Sequence, residues 1–202
     1  MHENMKKMKI WAAVILAAIA FPLCATAEAG DLRLGLRIPV GVYGWTPLDD
    51  WADTIAGAAG IRTGAEVFPL GGGRGYSDRG FFLSGRACAG YRLGLGDKNT
   101  YNARLHSLTA EFVLLARLNF TRQQGLYLGC GPLWEMDIMT YDEKYGETKS
   151  LVRRGAALNA VAGYEFRLRE KLAVFVEANY AHFFLSDVFD FVAPTLGLTI
   201  GI

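Results

Sequence analysis

From residue 32 onward the chain alternates between apolar and polar positions almost residue by residue. Leu32, Leu34, Leu36, Ile38, Val40 and Val42 share one parity, and Arg33, Gly35, Arg37 and Gly41 take the other. An extended chain points successive side chains to opposite faces, so this run predicts a strand with one apolar and one polar face. The pattern keeps returning. Near 61–69, Ile61, Thr63, Ala65 and Val67 oppose Arg62, Gly64 and Glu66, and over 81–95 the set from Phe81 to Leu95 opposes Ser84, Arg86, Cys88, Gly90, Arg92 and Gly94. Over 106–120 the set from Leu108 to Phe120 opposes Ser107, Thr109, Glu111, Arg117 and Asn119. Over 126–139 the set from Leu126 to Ile138 opposes Tyr127, Gly129, Gly131, Glu135 and Asp137. Two further runs, 155–168 and 172–185, set Asn159, Glu165, Arg167, Glu177 and Asn179 against apolar neighbours, and 191–202 ends on Leu196, Leu198, Ile200 and Ile202. In all eight segments the charges keep to one parity.

The connections alternate in length. Those near 119–125 and 167–171 are tight, whereas 44–60, 96–104, 139–152 and 185–190 are longer, which predicts an up-and-down antiparallel meander with turns at one end and loops at the other. The stretch LGGGRGYSDRG at 70–80 breaks the rule: either the flanking strands extend into it with glycine bulges, or this turn is long.

Alternation alone does not say which face is inside, because a soluble lipocalin-like barrel has an apolar interior. Three features favour an apolar exterior. The strands run about 11 to 15 residues, beyond the five or six usual in soluble sheets and suited to a tilted membrane crossing. Glycine crowds the polar face (Gly35, Gly41, Gly64, Gly90, Gly129, Gly163 and Gly197 among others), as a narrow lumen holding Arg and Glu side chains requires. Arg33, Arg37, Arg62, Arg86, Arg92 and Arg117 share that face with Glu66, Glu111, Glu135, Asp137, Glu165 and Glu177, so their charges can pair. Buried charges need such pairing. The expectation is an all-β fold, an eight-stranded antiparallel transmembrane barrel with a plugged, charge-paired lumen.

The N-terminus fits that reading. Lys6, Lys7 and Lys9 precede an apolar run over 10–21 and small residues Ala25 and Ala27, the pattern of a secretory signal peptide over 1–27, leaving 28–202 as the barrel domain. Leu23, and not a small residue, stands before Cys24, which argues against a lipoprotein. The formal net charge of +1 supplies no basic field for nucleic acid. Cys88 falls on the polar face and Cys130 on the apolar face of strands that are not neighbours, so no disulfide is expected.

With these features the chain resembles the small eight-stranded bacterial outer-membrane barrels: the membrane domain of outer-membrane protein A and the X and W proteins. The resemblance covers nearly the whole exported chain and is one of architecture. It implies location in the outer membrane, contact with outer-membrane lipid, and reading of the C-terminal strand by the barrel-assembly machinery. The family usually ends on an aromatic residue, and this chain ends on Ile202.

Candidate chemistry is sparse. His106 and Ser107 are adjacent and so face opposite ways. The lipid A deacylase barrels are known for a His and a Ser two apart on one strand, a pattern absent here. His182 and Ser186, near Asp187, share a parity but lie more than a dozen ångströms apart in an extended strand, by about 3.3 Å per residue. Asp49 and Asp50 read as a helix cap. GGGRGYSDRG lacks the Lys-Ser/Thr of a phosphate-binding loop. No enzyme activity, metal or cofactor is expected.

The stretch WTPLDDWADTIAGAAG at 45–60 puts Trp51, Ile55 and Ala58 or Ala59 at helical spacing behind Asp49 or Asp50. With Trp45 and Leu48 it predicts an apolar entrance in the first loop, as in the W-type barrels; the competing reading is an aromatic anchor at the headgroups. TYDEKYGETKS at 140–150 is a charged surface loop able to meet a host molecule. The expected function is a narrow passive channel for small, largely hydrophobic solutes, gated by the paired charges. The alternative is a non-conducting surface structural protein or adhesin acting through its loops, and a lipid-active enzyme is a third reading.

Overall fold

The computed structural model describes residues 33–47, 55–70, 80–96, 104–142, 148–184 and 190–202. The expected signal peptide lies outside them, as do Leu48, Asp49, Asp50, Trp51, the glycine-rich stretch 71–79, Ser186 and Asp187. Eight strands follow in order: β1 (Arg33–Pro47), β2 (Ile55–Leu70), β3 (Gly80–Gly96), β4 (Arg104–Asn119), β5 (Gln124–Asp142), β6 (Thr148–Arg169), β7 (Leu172–Phe183) and β8 (Phe191–Gly201). Each pairs antiparallel with the next, and β8 pairs with β1, closing the barrel.

The register fixes the barrel's shape. Following paired residues from Leu36 through Val67, Gly85, Leu114, Cys130, Ala160, Tyr180 and Val192 returns to β1 at Thr46, ten residues beyond the start. Eight strands with that stagger tilt by about 40° and enclose a backbone radius of about 8 Å, room for side chains and little else. Partners across the lumen are therefore offset along the chain by an amount that depends on the tilt.

The outer wall is apolar. Ile61 is 63% exposed and Leu128 65%, while Arg86 and Glu177, of opposite parity, are each 2% exposed. Along β3 the outward apolar residues run from Phe81 to Leu93, about 30 Å of height at that tilt, comparable with the ~25 Å apolar band of a membrane barrel.

The strands reach further than the alternation predicted. β5 extends to Asp142 and β6 begins at Thr148, so much of the loop expected at 139–152 is ladder. The helix expected within 45–60 is absent from its described residues: Trp45 lies in β1 opposite Ala58, and residues 55–60 open β2 and pair with β3. The physical reason lies in IAGAAG, where Gly57 and Gly60 each cost a helix about 1 kcal/mol, while pairing with β3 gives most of its backbone groups a partner. Gly57 sits at a register shift with φ 155°, which a side chain would resist. Prolines leave their mark on the wall. The β1–β2 ladder skips Pro39, the β4–β5 ladder skips Pro132, and the β1–β8 ladder skips Pro194, as residues without an N–H should.

Three inward aromatics each lie on a glycine directly opposite on the neighbouring strand: Phe68 on Gly35, Tyr127 on Gly163 and Phe175 on Gly197. A methyl group at any of these glycines would enter the ring. Gly163→Ala should therefore destabilise the barrel by about 1–3 kcal/mol, the range for overpacking. In a double-mutant cycle with Tyr127→Ala, followed by urea unfolding, the alanine at 163 should lose most of its effect; an unchanged cost would show that the ring is not what the glycine accommodates.

Candidate functional site

Inside the barrel the charges sort into three layers. Nearest the turn end, Arg117 donates to Glu66 at 2.6 Å and Ser84 donates to the same carboxylate at 2.8 Å. Beside them Arg37 donates to Glu165 at 2.9 Å, with Arg117 3.5 Å and Arg167 3.3 Å from that carboxylate. Arg167 also donates to Asn119 and to the Arg122 carbonyl, each at 2.8 Å, tying this layer to the β4–β5 turn.

Glu177 is the hub of the middle layer. It accepts from Arg62, from Arg86 at 2.6 Å and from the Tyr127 hydroxyl at 2.9 Å. Arg62 reaches on to Glu111 at 3.1 Å, and Asn159 donates to the other oxygen of Glu111 at 2.7 Å. Arg117 stacks on the opposite flank, its guanidinium 4.4 Å from the Tyr127 ring centre, so that one aromatic joins the two lower layers. Val113, Leu115 and Val161 pack around Tyr127 and fill the space between.

Toward the loop end, Arg92 pairs with Glu135 and Ser107 donates to Asp137. The Arg92 guanidinium lies 4.7 Å from the Phe191 ring centre and 5.1 Å from that of Trp45. Around it Tyr43, Leu105, Leu133, Met139, Ala157 and Phe183 form an apolar cluster that occupies the upper lumen.

Between the middle and upper layers a cavity of about 30 Å³ is lined by Arg62, Cys88, Thr109, Glu111, Asn159 and Arg92, among others. Asn159 Oδ1 and the Nε and Nη1 atoms of Arg92 are buried and without a protein partner. A space of this size holds a water or two, which those atoms are placed to bond. Nothing larger fits.

Each expected site residue can now be placed. Arg37, Arg62, Glu66, Arg86, Arg92, Arg117, Glu135, Asp137, Glu165 and Glu177 are buried in the lumen, and the Glu111 side chain is 8% exposed there. Arg33 opens β1 and Ile55 opens β2. Trp45 lies not in a loop but inside the barrel, 2% exposed, because β1 runs on to Pro47 and carries it inward. Cys88 is buried and Cys130 exposed on the outer wall, both free. Sequence reasoning left Tyr127, Ser84, Ser107, Asn159 and Arg167 out of the network and missed the upper apolar cluster. The inward parity of Leu105, Leu133, Phe183 and Phe191 was the available signal.

Two polar pairs decorate the outside near the loop end. The Tyr91 hydroxyl lies 2.7 Å from His106 Nδ1. Asp190, just before β8, accepts from His182 Nδ1 at 2.7 Å, from Tyr180 at 3.0 Å and from the Phe183 N–H at 3.1 Å. Partial burial pushes the Asp190 carboxyl up, but the hydrogen bonds from His182, Phe183 and Tyr180 outweigh it and hold the group below its usual range.

No family model matches the chain, and no curated protein is similar to it in sequence. Solved structures do resemble it. The attachment invasion locus protein Ail of Yersinia pestis in complex with the heparin analogue sucrose octasulfate superposes with a TM-score of 0.52 at 11% identity, covering 85% of this chain and 99% of that one. Ail alone gives 0.51 at 13% identity, over 84% and 97%. Neisserial surface protein A gives 0.49 at 10% identity, over 83% and 96%. At such identities the likeness to Ail shows the fold: a closed eight-stranded antiparallel barrel.

Glu177→Gln would leave Arg62 and Arg86 with Glu111 alone as counter-charge and should cost about 3–5 kcal/mol in urea unfolding, the range for breaking a buried pair. A loss below 1 kcal/mol would mean that the middle layer does not carry the core. A lowered carboxyl contributes stability above its ordinary pKa and loses it as pH falls through the folded value. Hydrogen exchange at the Phe183 amide should accordingly stay protected near neutrality and lose protection once pH drops below about 4, with Asp190→Asn abolishing that pH dependence.

Proposed function

We propose that this chain spans a bacterial outer membrane as a small barrel that does not conduct, and that it acts at the cell surface through its wall and loop end. The observation that carries this reading is the filled lumen, in which Glu177, Arg62, Arg86 and Glu111 meet across the barrel and leave a cavity of about 30 Å³ above them. Passage of an ion or solute requires separating such pairs, at about 3–5 kcal/mol for each charge left alone. The apolar outer face of β1 to β8 supports residence in lipid, and the alternating apolar residues of β8 suit reading by the assembly machinery after export. Binding of a host surface molecule falls to the loops, including 143–147, which lies outside the described residues.

The second reading, a narrow passive channel for small hydrophobic solutes, draws on the apolar cluster around Trp45, Phe183 and Phe191 at the loop end. In it the cluster is an entrance and the Arg92–Glu135 pair a gate. Both readings make the same barrel and differ in whether the lumen opens.

Cys88 reports on that difference because its thiol lies in the middle of the lumen, beside the cavity. In a Cys130→Ser background, refolded into vesicles, Cys88 should resist a small water-soluble thiol reagent and react only after unfolding. The same protein in a planar bilayer should give no reproducible conductance steps, with or without a hydrophobic solute. Rapid labelling of the folded barrel, or steps that change size in Glu111→Gln, would replace this reading with the channel.

A further inference from the structure

Three nitrogen-bearing side chains stand on the outer wall near the loop end of β4 and β6: Arg104 and His106 on one strand, Arg154 on the other. The intervening β5 serves as a ruler. Trp134 comes first, then Met136 beside Arg154, Ile138 beside His106 and Thr140 beside Arg104. All three thus lie on the loop side of Trp134, which is exposed on the wall, and His106 is paired with Leu93, the last outward apolar residue of the β3 band. Their height above Trp134 is about 5–15 Å, at the upper margin of the band, where hydrocarbon gives way to headgroups.

Arg104 and Arg154 are exposed and meet no carboxylate among the described residues. The contrast is with Asp190, which accepts hydrogen bonds from His182 and Tyr180 of the neighbouring β7. The Tyr91 hydroxyl fixes the His106 ring through Nδ1; when that hydroxyl donates, Nε2 carries the proton and is a donor. Two forked guanidiniums, which are donors only, and in that tautomer an oriented imidazole N–H beside them form a set about 16 Å across at most. Neutral or zwitterionic headgroups gain little from it. Phosphate oxygens gain bidentate, charge-assisted bonds.

We infer that Arg104, His106 and Arg154 form a phosphate-binding rim that holds the headgroup of an anionic lipid against the outer wall of β4–β6. The inference rests on the membrane reading above and adds the class of lipid that the wall selects. Arg154 and His106 flank β5 closely enough to share one phosphate, and Arg104 extends the reach to a second phosphate on the same headgroup.

The test uses the full exported chain refolded in phosphatidylcholine nanodiscs doped with phosphatidate, with retained lipid counted by native mass spectrometry. The unmodified barrel should retain phosphatidate in preference to phosphatidylcholine. Each arginine near a charged headgroup contributes on the order of 1 kcal/mol, about fivefold in retention, so Arg104→Gln with Arg154→Gln should reduce it by about thirtyfold. The matching pair Arg122→Gln and Arg169→Gln at the turn end should leave it unchanged, and Arg104→Lys with Arg154→Lys should restore most of it. Equal retention in the Gln pair, or equal retention of the zwitterionic lipid, would overturn the rim. Displacement by millimolar inorganic phosphate would overturn the lipid as its occupant in favour of a soluble anion. A barrel that stays out of the bilayer, seen as an unboiled sample migrating as unfolded, would sink the membrane reading itself and this site with it.

Discussion

Glu177 receives Arg62 from β2, Arg86 from β3 and the Tyr127 hydroxyl from β5, and all four groups are buried. A carboxylate in that position cannot stand alone, nor can either guanidinium, because each isolated buried charge costs several kcal/mol. The barrel must therefore close with its register intact for any of them to be tolerated. Slipping one strand by a single residue would turn its charges onto the lipid-facing wall and leave their partners bare inside. Pairing across the lumen thus acts as a check on register that hydrogen bonding between neighbouring strands cannot provide, since a slipped ladder makes the same backbone bonds.

The size of the side chains then dictates the glycines. An eight-stranded barrel has space for guanidiniums and phenols at its axis only if the adjacent strand gives way. Gly163 yields to Tyr127 and Gly197 to Phe175, so rings that would otherwise collide with the wall lie flat on it. That flat placement leaves the Tyr127 ring free to stack with Arg117 below while its hydroxyl reaches Glu177. Packing and electrostatics are consequently the same set of contacts, and removing either part exposes the other.

The alternation made the strands and their facing legible, because the side-chain period of two is a property of the local backbone. Burial of Arg86 and exposure of Leu128 could be read from parity once the glycines had shown which face was cramped. The ends of the strands could not. Residues 55–60 carry no charge and little bulk, so IAGAAG is compatible with either a helix or a ladder until β3 lies beside it. Pairings across the lumen were also beyond reach: Arg37 and Glu165 are separated by most of the chain, and whether they meet depends on a tilt set jointly by all eight strands. The upper apolar cluster escaped for a third reason. Leu105 and Leu133 share their parity with charged residues and Phe191 with threonines and glycines, and a rule that equates inward with polar hides them.

That cluster also bears on where function can reside. Arg92, with its aromatic neighbours Trp45 and Phe191, is held from above by apolar packing and from the side by Glu135, so the upper layer resists water even though it contains a charge. The middle layer is held by ions, and the lower by ions tied to a turn. An opening would need the three to yield together, since a gap in one still meets a closed layer below it. The outer wall has no such constraint: its side chains point away from the lumen and meet at most their neighbours on the wall, so substituting one leaves the charge layers untouched. A protein built this way is free to change its exterior while the interior stays fixed, and that freedom is what makes Arg104 and Arg154, which meet no carboxylate among the described residues, stand out on a mostly apolar wall.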